Sequence, residues 1–129
     1  MANIYSAADL AGRLLLAALF AVEVWVKVKG YDGAVAYMEK FGVPAILLPV
    51  AIAVEGLGAL CIAIGWHARV AAFLLAGFCL LTAIIFHDNL ADAGEQLHFL
   101  KDIAIAGGFL VVFARGAGDW SIDARQGRG

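Results

Sequence analysis

Ionisable side chains inside long apolar runs are the residues of this chain that could do chemistry. Glu55 lies near the middle of one run, and Glu23 and Lys27 lie four residues apart in another, on one face of a helix. An ionisable group at mid-depth in lipid costs about 2.5–3.5 kcal/mol on insertion scales, so it normally faces a bundle interior or a cavity. Glu55 has no neighbouring base in sequence and must therefore be neutral or paired with a cation on another helix.

More polar residues lie where the third apolar run ends and the fourth begins. His87 closes the third run, and several polar side chains open the fourth. Antiparallel threading brings these residues to the same membrane face as the end of the first run, with Glu55 deeper, so we predict one polar pocket in the outer half of a helical bundle. The candidate ligand-binding residues of this pocket are Glu23, Lys27, Gln96, His98, Lys101 and Asp102.

Structural interpretations compete with the pocket at most of these positions. Glu23 and Lys27 could form only a local ion pair at a helix end. Lys101 could anchor the chain at the membrane interface, with its ammonium group reaching the headgroups. His87 could simply end a span. For Glu55 the sequence favours a role in function or in specific helix packing.

Four long helices must position these groups. Of the 129 residues, 64% are hydrophobic and 16% are charged, whereas soluble domains are roughly 45–50% apolar. A soluble four-helix bundle would carry a charged stripe along each helix, and that stripe is missing from residues 70–86. Each apolar run is close to the roughly 20 residues that cross a hydrocarbon core. The predicted spans are residues 10–28, 45–65, 68–86 and 97–114.

We therefore predict an all-α integral membrane four-helix bundle in which residues 1–129 form a single domain. Asp9 is predicted to cap the first span, and residues 34–41 are predicted to form a short interfacial helix between spans one and two. The side that holds both termini carries five arginines, whereas the other side carries four lysines together with acidic residues, so the N- and C-termini are predicted to be cytoplasmic. Close approach of spans two and four is predicted at Gly56, Gly58, Gly107 and Gly108.

Composition and motifs exclude several classes of protein. The formal net charge of −2 gives no basic surplus, so a nucleic-acid partner is not expected. Cys61 and Cys79 lie in apolar runs, outside any C-x-x-C or cysteine–histidine cluster, so we predict neither a disulfide nor a metal site. No P-loop or G-x-G-x-x-G motif occurs in the sequence.

A series of short motifs resembles the DoxX family of small four-helix bacterial membrane proteins. The resemblance covers nearly the whole chain. This chain differs from the family pattern at Asp102, where the family more often has asparagine, and at Glu23, where it more often has a small or apolar residue. The motifs, in order, are Arg13-Leu14-Leu15-Leu16, Gly42-Val43-Pro44, Glu55-Gly56-Leu57-Gly58, Phe86-His87, Gln96-Leu97-His98-Phe99-Leu100-Lys101-Asp102, Gly107-Gly108 and Asp119-Trp120-Ser121-Ile122-Asp123.

The resemblance implies redox work at the bacterial inner membrane. Relatives include a thiosulfate:quinone oxidoreductase subunit and a complex that links superoxide detoxification to thiol handling. We therefore expect a membrane subunit of a redox system that binds a quinone-like or small sulfur-containing molecule, with a quinone as the candidate cofactor. In this picture Glu55 and His87 are the catalytic residues that handle protons, and Lys101 and Arg13 supply positive charge at opposite ends of the bundle.

An oxidoreductase subunit of this kind would need a redox partner protein or a bound cofactor, because the sequence contains no evident electron carrier. The alternative is a non-catalytic membrane scaffold or small-solute carrier whose polar cluster fixes helix packing. In both interpretations the helices are in contact with the lipid bilayer. Both also predict a homo-oligomer or a hetero-complex, because four short spans bury little surface against one another.

Overall fold

The computed structural model describes residues 2–87 and 89–128, and this part of the chain is helical without a strand. The prediction of an all-α fold is therefore confirmed. The helices of the described chain are α1 (Ala2–Lys29), α2 (Tyr31–Lys40), α3 (Leu47–Ile64), α4 (Ala68–Phe86), α5 (Ala93–Arg115) and α6 (Ile122–Arg125).

Within the described residues, three helices are long and apolar enough to cross a membrane, namely α3, α4 and α5. Their outward surfaces carry large apolar side chains, such as Leu57 at 66% exposure and Val70 at 60% exposure, which only lipid solvates well. The chain is thus an all-α membrane protein. The predicted first span lies in α1, whose 28 residues extend about 42 Å at 1.5 Å per residue, more than a hydrocarbon core requires.

The four long helices form a ring in the order α1, α3, α4, α5. A tight hairpin at residues 65–67 joins α3 to α4, with Gly65 in the left-handed region at φ 71°. We call this end of the bundle the hairpin end and the opposite end the α2 end. The α1 and α5 helices meet near the middle of the bundle, where the rings of Phe20 and Phe109 lie 5.5 Å apart.

The hydrophobic core fills the middle of the bundle and its hairpin half. Small residues dominate it and allow the helices to pack closely around a few large side chains. Polar groups and a cavity occupy the α2 half instead. The buried core residues are Ala17, Phe20, Ala59, Ile62, Ala71, Ala72, Leu75, Ala76, Cys79, Ala106 and Phe109.

The structure contradicts two predictions: the cap of the first span at Asp9, and the glycine contacts between spans two and four. Asp9 does not cap the first span, because α1 already begins at Ala2 and Asp9 lies inside it. The glycines do not bring spans two and four together, because α3 and α5 are not neighbours in the ring. Gly58 instead lies against Leu75 of α4, and Gly108 lies against Leu16 of α1.

Helices α2 and α5 both begin earlier than predicted. The α5 helix begins at Ala93 because the Asp92 side chain accepts hydrogen bonds from the backbone N–H of Gly94 at 2.8 Å and of Glu95 at 3.2 Å. The predicted span began at residue 97, the first apolar position, and so missed this capped polar turn. The α2 helix begins at Tyr31 and lies beside the cavity described below, with Met38 buried.

The C-terminal segment folds back over the hairpin and caps α4 from outside that helix. The Asp123 carboxylate accepts hydrogen bonds from the backbone N–H of His67 at 2.7 Å and of Ala68 at 2.8 Å. Arg128 donates to the same carboxylate at 3.1 Å. Burial acts to raise the pKa of Asp123, but the bonds from Ala68, His67 and Arg128 outweigh it, so the pKa lies below its ordinary value of 3.8.

Changing Asp123 to asparagine is expected to lower the free energy of unfolding by about 1–2 kcal/mol at neutral pH, because α4 loses a charged cap. A carboxyl group with a lowered pKa stabilises the fold above its ordinary value of 3.8, and this stabilisation is lost as the pH falls through the lower folded-state pKa. Thermal unfolding in detergent from neutral pH to about pH 3 measures the effect. Asp32→Asn, on the exposed face of α2, is the control. An Asp123→Asn chain with the parent's acid sensitivity would contradict the prediction.

Candidate ligand-binding site

A cavity of about 420 Å³ lies between the long helices in the α2 half of the bundle. Its volume is within the range of about 300–1,000 Å³ that is typical of ligand pockets. Helix α2 lies beside it with Ala34, Tyr37 and Met38 in the lining. The apolar lining residues on the long helices include Leu19, Phe20, Leu47, Leu48, Val50, Val54, Phe78, Leu81, Ile85 and Ile105.

The centre of the polar lining is an ion pair between α1 and α3. Lys27 Nζ lies 2.7 Å from Oε1 and 2.9 Å from Oε2 of Glu55, and the Glu55 side chain is fully buried. Of the two states that the sequence allowed for Glu55, the structure thus has the pair with a cation on another helix. Glu23 lies one turn before Lys27, with its Oε2 3.8 Å from the same ammonium nitrogen, so Lys27 joins two carboxylates.

A second polar group lies across the cavity, where α4 ends and α5 begins. His87 follows the last residue of α4, and its Nδ1 lies 2.8 Å from Oε2 of Glu95. The other ring nitrogen lies 3.9 Å from Oδ2 of Asp102, and the ring stacks on that of His98 with centroids 5.4 Å apart. His87 and Asp102 line the cavity. An imidazole between two carboxylates can hold or transfer a proton.

The cavity contains five of the eight predicted site residues and lacks the other three. Gln96, His98 and Lys101 are exposed and lie outside the cavity lining. His98 still contacts the site through the His87 ring. The five residues in the lining are Glu23, Lys27, Glu55, His87 and Asp102.

Sequence reasoning missed Glu95 and Thr82 as parts of the site. Glu95, His98 and Asp102 are spaced three and four residues apart and so share one face of α5, which was a usable signal for Glu95. Gln96 and Lys101 lie off that face. Thr82 contributes a lining hydroxyl group that donates to the backbone carbonyl of Cys79 at 3.1 Å.

Fold and site together define the class: a multi-helix membrane protein with a largely apolar cavity inside the bundle and a few ionisable side chains in the cavity lining. Residues 8–88 match the family model DoxX, and the chain belongs to the DoxX family. The resemblance seen in the sequence is thereby confirmed. The matched residues run from α1 to the end of α4 and include Glu23, Lys27, Glu55 and His87, whereas Asp102 lies beyond them.

Two proteins of Escherichia coli (strain K12) are similar to this chain over most of their length. The inner membrane protein YqjF is 44% identical over 114 residues, which is 88% of each chain. The inner membrane protein YphA is 35% identical over 123 residues, which is 90% of this chain and 88% of YphA. No solved structure matches the chain.

Proposed function

We propose that this protein is a membrane subunit of a redox system and that it binds a quinone-like molecule in the cavity beside α2. One observation carries the proposal: a largely apolar cavity of about 420 Å³ within the bundle has a few ionisable side chains in its lining. A quinone has the matching division between an apolar body and polar ring oxygens. Such sites are mostly apolar, with a few convergent polar groups that orient the ligand.

The charge of the cavity supports a neutral ligand over an anionic sulfur compound. The carboxyl groups of Glu23, Glu55 and Asp102 line it, against one ammonium group from Lys27. Lys27 is already engaged by Glu55, so a sulfur oxyanion would meet an acidic surface without a free cation among these lining groups. A neutral quinone meets no such repulsion, and the hydroxyl groups of its reduced form can donate to carboxylates.

The polar groups have distinct roles in this proposal. Glu23 and Asp102 accept hydrogen bonds from the reduced ligand, and the Lys27 N–H that is not bound to Glu55 donates to a carbonyl oxygen of the oxidised one. His87 holds a proton near the ligand and exchanges it with Glu95, which is partly exposed. Glu55 fixes the position of Lys27 and is the buried proton acceptor of the pair. A redox partner protein or a further bound cofactor supplies the electrons.

The proposed setting is the bacterial inner membrane, where both E. coli relatives are located according to their names. In this setting residues 1–129 act as one transmembrane domain with both termini cytoplasmic, and the cavity lies in the outer half of the membrane. Reporter fusions at the C-terminus test this orientation. A periplasmic C-terminus would reverse the side from which the cavity takes up protons.

Quinone binding is tested on protein purified in lipid nanodiscs. Mass spectrometry of extracted lipid is expected to find co-purified quinone, and calorimetric titration with a short-chain ubiquinone is expected to show saturable binding. Glu23→Gln and Asp102→Asn are each expected to weaken binding of the reduced form about tenfold, since a hydrogen bond to a charged group contributes about 1.5–3 kcal/mol. Glu39→Gln, on the exposed part of α2, is the matched control. Absence of both co-purified quinone and saturable binding would overturn the proposal.

The second candidate is a non-catalytic scaffold, and the Lys27–Glu55 pair is the observation that favours it. Both oxygens of the buried carboxylate are already bound by Lys27, so the pair could serve only to join α1 to α3. This candidate predicts that Glu23→Gln and Asp102→Asn change stability or assembly and that no quinone binds. An oligomer or partner complex that survives solubilisation without bound quinone would support it.

A further inference from the structure

We propose that the ligand of the cavity carries a hydrocarbon chain and that this chain leaves the cavity between α3 and α4, directly into the lipid. This inference rests on the proposed function and adds a ligand class and a route. The ligand is a neutral amphiphile, with its polar head at the Lys27–Glu55 pair and its chain in the membrane. We call the gap lined by Leu47, Val50 and Leu81 the lateral opening.

The exposure of the lining residues locates the lateral opening. Leu47 and Val50 of α3 line the cavity and are 46% and 54% exposed, and Leu81 of α4 lines it and is 56% exposed. Leu19 of α1 and Tyr37 of α2 also line the cavity and are 37% and 43% exposed, so the three residues on α3 and α4 are the most exposed of the large apolar side chains in the lining. By contrast, Leu48 and Cys79 also line the cavity but are 1% and 3% exposed.

The lateral opening faces lipid because both of its sides are membrane-crossing helices. Leu47–Ile64 and Ala68–Phe86 are the two most apolar of the candidate spans, with a mean hydropathy of 2.3 each. An opening between them lies within the hydrocarbon layer and not in water. An apolar chain that passes through it stays in an apolar environment along its whole length.

Packing differences along the α3–α4 pair explain why the opening lies in the α2 half. Near the hairpin the helices are held together by residues 65–67, and Gly58 leaves no room for a Cβ atom, which would lie 2.9 Å from the Leu75 side chain. Beyond that contact α3 and α4 carry larger side chains, such as Val54 and Phe78, which line the cavity. The pair is therefore tight at the hairpin and open toward α2.

Helix α2 covers part of the cavity at its water-facing end, which favours a lateral route. The Tyr37 ring stacks on Phe86 of α4 with centroids 5.5 Å apart, and the Phe41 ring meets Phe86 edge-on at 5.2 Å. These contacts connect the α2 segment to the end of α4, above the opening. A ligand with a long apolar chain would have to break this aromatic cluster to enter along that path, whereas the lateral opening needs no such change.

The test compares two quinones on the same protein in lipid nanodiscs. One is the chainless ring 2,3-dimethoxy-5-methyl-1,4-benzoquinone, and the other carries a decyl chain on that ring. Val50→Trp and Leu81→Trp narrow the lateral opening and are each expected to weaken binding of the decyl quinone about tenfold, with the chainless ring unaffected. The matched controls are Leu57→Trp on α3 and Leu74→Trp on α4, which are similarly exposed but lie outside the lining.

Each outcome separates this inference from the proposed function. If the parent protein binds neither quinone, the proposed function fails. If the parent binds both quinones and the two opening variants behave like the controls, the function stands and the lateral opening is wrong. Selective loss of the decyl quinone in Leu19→Trp, on the α1 side of the cavity, would place the chain elsewhere and also overturn the inference. Retained binding of the chainless ring shows that each variant is folded.

Discussion

Replacing Lys27 with methionine is expected to lower the free energy of unfolding by about 3–5 kcal/mol, because the Glu55 carboxylate would then be buried without a partner. The Glu55 side chain is fully buried, and both of its oxygens lie within 2.9 Å of the Lys27 ammonium nitrogen. Glu23, which carries the same charge as Glu55, cannot replace the lost cation. Chemical unfolding in mixed micelles at neutral pH measures the loss.

The double variant Lys27→Met with Glu55→Met separates the pair from its individual charges. Replacing a buried ion pair by apolar side chains of similar volume is often neutral or stabilising, so the double variant is expected to lie within about 1 kcal/mol of the parent. Lys29→Met is the control, since Lys29 is at the same end of α1 but its ammonium nitrogen lies over the Trp25 ring, 5.0 Å from the ring centroid, and not at the Glu55 carboxylate. A Lys27→Met chain as stable as this control would contradict the prediction, and so would a failure of Glu55→Met to restore stability.

The common depth of the polar groups could be predicted from the sequence, but their pairing could not. Span lengths and antiparallel threading bring the second half of α1 level with the first half of α3, which is the second span. The contact between Lys27 and Glu55 also depends on how α1 and α3 are rotated about their axes. Helix periodicity fixes which residues share a face, whereas packing in the assembled bundle decides which faces meet.

Rotation about the helix axis also explains which polar residues at the start of α5 reach the site. Sequence reasoning treated the polar segment from Gln96 to Asp102 as one group, although a helix turns about 100° per residue and spreads such a group around its axis. The face that holds Glu95, His98 and Asp102 meets His87. The cap at Asp92 was the missing information, because it starts the helix early enough to include Glu95.

The short α2 helix could be predicted, but its place beside the cavity could not. The amphipathic pattern of residues 34–41 indicated an interfacial helix, and any such helix would satisfy that pattern by lying flat on the membrane surface. Its contact with α4 depends on the meeting of Tyr37 and Phe86, which are 49 positions apart in the sequence. No local pattern encodes a contact of that kind.

Arg13 was expected to supply positive charge at one end of the bundle, but the structure uses its charge within the fold. Its side chain is 2% exposed, and its guanidinium group donates to the backbone carbonyls of Ile62 and Ala63 at 3.0 Å and to that of Trp120. Ile62 and Ala63 belong to the last turn of α3, whose carbonyls have no partner within the helix. Arg13 therefore joins α1, the end of α3 and the C-terminal segment.

Changing Arg13 to methionine is expected to lower the free energy of unfolding by about 3–5 kcal/mol, because three carbonyl groups lose a charged donor and each unsatisfied group costs about 1–3 kcal/mol. Arg13→Lys is expected to lie between this variant and the parent, since one ammonium group keeps the favourable charge at a helix C-terminus but cannot reach three carbonyls in a planar fork. The loss of the Trp120 contact should also release the C-terminal segment, so limited proteolysis is expected to cut Arg13→Met first near residues 116–121. Arg115→Met, at the exposed end of α5, is the control and is expected to change stability by no more than about 0.5 kcal/mol. An Arg13→Met chain that unfolds like this control and keeps its C-terminal segment protected would show that the bonds to Ile62, Ala63 and Trp120 do not hold the hairpin end together.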